Sequence, residues 1–206
     1  MKSFFNSENF LWQWFARVGD FFLTSCLWTL CSLPLITVVP ASIALYDTVA
    51  HCVRGKEQNI FRRFFRTFRN ELVRGILMSI LWGAVAMVLN IGYQVICQVT
   101  AGTELEILNI VCFMLLMVPV GVACWAVAIE SRFYHSFWQL HRTAGIFAIA
   151  NLPRTCAITF AFIVAWNLLR NIPFLVLFLP GLTATIQSAF IEKVFRKYMP
   201  EEASQT

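Results

Sequence analysis

The residues that could do chemistry in this 206-residue chain are few and scattered. Its three histidines, His51, His135 and His141, have no second ligand at helical spacing, so no metal site is expected. His51 stands beside Cys52, but no acid is evident to orient the imidazole, as a Cys–His nucleophile requires. The seven cysteines form no C-x-x-C pair. Most lie in apolar runs, where a free thiol behaves as a small hydrophobe. Glycine-rich phosphate loops are absent. No catalytic, metal or cofactor-binding residue is assigned, and a non-enzymatic protein is expected.

Three groups remain as candidates. Pro34, Thr37 and Pro40 interrupt a long apolar run. Their plain reading is a helix break that sets the angle of the next helix. Their sharper reading is that freed carbonyls near Leu30 and the Thr37 hydroxyl line a solute site, as broken helices do in transporters. Arg62, Arg63, Arg66 and Arg69 alternate with phenylalanines and read as a row that docks anionic lipid or an acidic partner. Asn90 and Gln94 sit one helical turn apart and could line a polar path or join helices.

The elements that must position these groups are set by apolarity. Hydrophobic residues make up 59% of the chain and charged residues 13%, against about 25% charged in soluble domains. There is too little polar sequence to cover a soluble core. The apolar runs approach the roughly 20 residues that cross a bilayer as a helix. The reading is a single all-α membrane domain over 1–206, a polytopic bundle of about five transmembrane helices. Spans are placed near 16–36, 76–97, 107–129, 153–172 and 173–192.

Residues 1–20 fit a short interfacial helix, with no cleavable leader. Pro40 is expected to open a second helix, to about Arg54, lying partly in the interface; a single kinked span is the alternative. The link 54–74 is a basic amphipathic helix suited to an anionic leaflet. A second short linking helix is expected around 144–152. Pro119 and Gly121 mark a kink, Pro153 opens the fourth span, and Pro180-Gly181 bends the fifth. Span, amphipathic link and span occur twice, at 21–97 and 107–172, a weak internal repeat. Cys97 and Cys112 flank the loop between the second and third spans; whether they pair is open, and free thiols are expected.

The net charge of +5 does not point to nucleic acid, because the positive residues lie between apolar runs. With five spans, all 16 lysines and arginines except Lys2, Arg17 and Arg170 fall on one side. The positive-inside rule then places the N-terminus outside and the C-terminus in the cytoplasm. No charged residue lies at a predicted span centre, which argues against an ion-coupled pump.

Ser32-Leu33-Pro34-Leu35-Ile36-Thr37-Val38-Val39-Pro40-Ala41, followed by Ala44-Leu45-Tyr46, and the link Phe64-Phe65-Arg66-Thr67-Phe68-Arg69-Asn70 resemble the YesL family of bacterial integral membrane proteins, a domain of unknown function. The likeness extends to Phe195-Arg196-Lys197-Tyr198. It departs in the first span, where Thr24 and Ser25 stand in place of an expected asparagine. The resemblance implies a multi-pass protein of the bacterial cytoplasmic membrane. It also implies a role accessory to ABC-type carbohydrate uptake, with permease subunits as partners, and brings no catalytic residue. An independent small-solute transporter or channel, and a homo-oligomer, are the other expectations.

Overall fold

The computed structural model describes residues 10–53, 59–100, 106–133 and 136–198, with side-chain surroundings given for 19–52, 59–99, 118–133 and 136–195. Residues 1–9, Arg54, Lys56, His135, the loop 101–105 and the last eight residues lie outside these, as does the side chain of Cys112. Among the described residues the regular secondary structure is all helical. Eight α-helices follow in order: α1 Phe10–Ser32, α2 Val38–Thr48, α3 Ile60–Asn70, α4 Leu72–Thr100, α5 Glu106–Glu130, α6 Phe137–Ala150, α7 Leu152–Asn171 and α8 Leu179–Tyr198. Among the described residues three segments are long and apolar enough to cross a membrane: Leu35–Cys52, Leu72–Val99 and Leu152–Asn171.

The break after α1 is held by its own threonine. Pro34 cannot continue the helix, so the chain turns through a 3-10 segment at Leu35–Thr37. Thr37 Oγ1 lies 2.6 Å from the Cys31 carbonyl and 2.7 Å from that of Pro34. The hydroxyl can therefore serve the Cys31 carbonyl, which the helix end leaves without an amide donor, while the Pro34 carbonyl also accepts from Thr37 N at 2.8 Å. Pro40 is the third residue of α2, not the first. The 3-10 turn lets the helix start two residues early, and a proline in the first turn forfeits no intrahelical bond.

The second helix, expected to lie partly in the interface, is buried among the other helices of the bundle. From Pro40 to Val49 every residue of this segment except the half-buried Ser42 is buried. The Leu35–Cys52 segment is 61% buried against 17% for Leu72–Val99. Ile43, Ala44, Leu45 and Tyr46 make α2 largely apolar, and its polar Ser42, Asp47 and Thr48 are hydrogen-bonded within the bundle. It packs against α1, α3, α4, α5 and α8 as the hub of the bundle.

Glycines mark the closest crossings. A Cβ at Gly75 would stand 2.6 Å from Pro40 Cβ and 2.8 Å from its Cα, so α4 meets α2 backbone to backbone. Val39 N donates to Ser79 Oγ at 3.2 Å beside this contact. At Gly121 a Cβ would meet the Thr155 methyl, so α5 rests directly on α7. Thr24 and Ser25, at the position of the expected asparagine, are fully buried, and Ser25 Oγ accepts from Gly181 N at 2.9 Å, joining α1 to α8. In the main core Trp125 donates to Thr155 Oγ1 at 3.0 Å and stacks on Phe147.

Other elements shift by a turn. The second linking helix runs over Phe137–Ala150, earlier and longer than expected. Pro153 sits in the first turn of α7, as its missing N–H allows. After Pro173 a 3-10 turn precedes α8, which starts at Leu179. Pro180-Gly181 thus opens a helix and does not bend one.

Candidate functional site

The amphipathic link folds as a two-faced helix. Ile60, Arg63, Phe64, Thr67, Phe68 and Glu71 recur at helical spacing and turn inward; Phe64 is fully buried. Phe61, Arg62, Phe65, Arg66 and Arg69 are exposed. The four arginines are therefore not equivalent. Arg63 is removed from the docking row, because its guanidinium is committed to the interior.

Its partner is Asp47 on α2. Arg63 Nε donates to Asp47 Oδ2 at 2.9 Å and Nη2 to Oδ1 at 3.1 Å, a forked pair. Thr67 Oγ1, one turn further along α3, donates to Oδ2 at 2.7 Å. His51 Nδ1 lies 3.0 Å from Oδ1, one turn along from Asp47. The Asp47 side chain is only 5% exposed, so these contacts compensate a carboxylate that burial alone would penalise by several kcal/mol, on the order of a desolvated ion.

Carboxylates continue the cluster where the C-terminal ends of α2 and α5 meet the start of α4. Arg74 Nη1 donates to Glu130 Oε1 at 3.0 Å, and the Glu130 side chain is 3% exposed. Glu71, 8% exposed, is within the electrostatic reach of Glu130, Arg74 and Asp47. Arg132, just beyond α5, pairs with Glu192 on α8. Ion pairs thus join α2 to α3, α4 to α5, and the end of α5 to α8.

Glu71 gives this end a pH response. Burial pushes its carboxyl above the ordinary value of 4.5, and the neighbouring Glu130 charge adds to this while Arg74 opposes it. The folded state favours the protonated form, so the associated stability is present below pH 4.5 and is lost as pH rises through the raised value. Subtracting the Glu71→Gln profile from wild type, in thermal unfolding over about pH 4 to 8, should show the wild type losing ground as pH rises. A flat difference would remove Glu71 from the account.

The other sequence candidates separate. Pro34, Thr37 and Pro40 form the break described above, with the Thr37 hydroxyl spent on its own turn. Asn90 and Gln94 lie on the exposed outer side of α4, where Gln94 Nε2 donates to Asn90 Oδ1 at 2.8 Å. They do not line an interior passage of this chain. His141 Nδ1 lies 2.8 Å from the Phe137 carbonyl, and its ring stacks near Trp82. Among the described residues no group of His, Cys, Asp or Glu is arranged to hold a metal ion.

Sequence reasoning expects Asp47, Glu130 and Arg132, at predicted cytoplasmic helix ends, to pair with neighbours or face headgroups, and all three are paired; it did not see Asp47 as a centre or as an acid for His51. The signal was present as two i,i+4 pairs, Asp47 with His51 and Arg63 with Thr67. An arginine on the apolar face of an amphipathic helix needs an acid, and Glu57 and Asp47 are the two that precede it most closely in the chain.

Residues 9–93 match the family model described as protein of unknown function, DUF624. The matched stretch contains both segments that resemble the YesL family, and the two identifications are consistent. No curated protein matches the chain, and neither does any solved structure.

Proposed function

We propose that this chain, DUF624-like over its α1–α4 region, is a non-enzymatic accessory protein of ABC-type carbohydrate uptake in the bacterial cytoplasmic membrane. It crosses the membrane about five times, N-terminus outside and C-terminus in the cytoplasm, and binds a permease subunit through the outer face of α3. The observation that carries this reading is the division of α3 into two faces. Arg62, Arg66 and Arg69 stand exposed among Phe61 and Phe65, while Arg63 and Thr67 bolt the same helix to Asp47.

A helix that only floats on anionic headgroups gains nothing from such fixing. A protein partner does, because pre-organised side chains lose less freedom on binding. Arginine forks suit carboxylates, and the exposed rings supply apolar contact area. The carbohydrate assignment rests on the family resemblance.

Exchanging Arg62, Arg66 and Arg69 for glutamate is expected to release a permease subunit captured by in-cell crosslinking, without changing membrane insertion. Retention of the subunit by the triple variant would refute docking through this face.

A second reading, an independent solute transporter, is favoured by one feature. Asp47, Glu71 and Glu130 are buried carboxyl groups in an apolar bundle, a usual mark of transport paths. Solute flux by the purified protein in liposomes, abolished by Glu71→Gln, would decide for it and against the accessory role.

A further inference from the structure

α4 stands out from the bundle. Of Leu72–Val99, the longest apolar segment, only 17% is buried. Met87, Val88, Ile91 and Val95 are all more than half exposed, as befits a surface that meets lipid. One stripe does not suit lipid. Gly83, Met87, Asn90, Gln94 and Gln98 fall on one side of the helix, and all five are exposed.

Depth makes the amides costly. At ~1.5 Å per residue, Asn90 lies about 27 Å from Leu72 and 13 Å from Val99; centred on ~30 Å of hydrocarbon, that leaves it about 8 Å inside. Lipid offers it no hydrogen-bond partner. The bond from Gln94 Nε2 to Asn90 Oδ1 uses one donor group and one acceptor. It leaves the Asn90 amide N–H groups and the Gln94 carbonyl to be satisfied.

We propose that the chain self-associates in the membrane through this stripe, with Asn90 and Gln94 of two copies hydrogen-bonding across a two-fold axis. The occupant is a second copy because the remaining groups are self-complementary. One copy offers an amide donor and an amide acceptor, and a two-fold mate presents the matching acceptor and donor, as an isologous interface requires. Gly83 lies on the same stripe, and a Cβ there would meet nothing within 4 Å. A small residue with open space before it is what lets two transmembrane helices approach closely. The interface is separate from α3, so it stands whether or not α3 docks a permease.

The test is energy transfer between fluorescently labelled full-length copies in lipid vesicles, measured as the protein-to-lipid ratio is lowered. Wild type should associate, and the double variant Asn90→Leu, Gln94→Leu should associate about tenfold or more weakly, a difference of about 1.4 kcal/mol. Gly83→Leu should weaken it likewise, and Leu77→Ala, elsewhere on the exposed surface of α4, should not. Equal unfolding temperatures in detergent establish that the variants fold. Wild type that stays monomeric at every ratio would overturn the proposal. So would a double variant that associates like wild type, or in-cell crosslinking from position 87 to a different protein.

Discussion

Replacing Asp47 by alanine is expected to cost about 3 kcal/mol of stability, because it strips the partner from a buried ion pair. Three interactions are lost at once: the forked bond from Arg63, the Thr67 hydroxyl bond and the His51 contact. Arg63, whose side chain is 29% exposed, recovers part of its hydration, which keeps the cost below the upper end of the range for such losses. Arg63→Ala should be as damaging, since it leaves a carboxylate that is 5% exposed without its counter-charge. Arg62→Ala, one residue away and exposed, should stay within about 0.5 kcal/mol of wild type. Denaturation in mild detergent measures all three. Equal effects at positions 62 and 63 would erase the distinction between the two faces of α3.

Gly75→Val is expected to be the most damaging change that touches no charge, at about 2–3 kcal/mol. The added carbons would enter space held by Pro40, whose backbone Cα is 2.8 Å from the site of a Cβ. A flexible side chain could move aside, but a ring locked into the first turn of α2 cannot. The helices would part, and the bond from Val39 N to Ser79 Oγ would go with them. Gly83→Ala is the matching control for one copy, with nothing within 4 Å of its Cβ, and should alter stability by no more than about 0.5 kcal/mol. Unfolding midpoints in detergent compare the two. A tolerated valine at position 75 would mean that α2 and α4 are not in backbone contact.

Features set by local chemistry were legible in the sequence. Proline acts on its own turn, so the break at Pro34 and the start of α7 beside Pro153 could be read directly. The period of the phenylalanines showed that α3 is two-faced, but only Phe64 and Phe68 turn inward, while Phe61 and Phe65 are exposed. What the sequence did not show depends on which surface each helix turns to which neighbour. α2 is mostly apolar, with Asp47 and Thr48 only at its end, and such a helix suits lipid and protein interior nearly equally, so its place at the centre was hidden. The same ambiguity concealed that Asn90 and Gln94 face outward. Arg63 could not be told from Arg62, Arg66 and Arg69 until Asp47 had a position. At the site, then, the residue types were readable and their partners were not.

The division of α3 is the claim on which the functional account depends, and a photo-activated crosslinking residue placed at Phe65 or at Phe64 tests it in living cells. From position 65, exposed on the outer face, the account predicts a crosslink to an ABC permease subunit. From position 64, which is fully buried, it predicts bonds only within the chain. Crosslinks from position 65 to lipid alone, or the same partner captured from both positions, would contradict it.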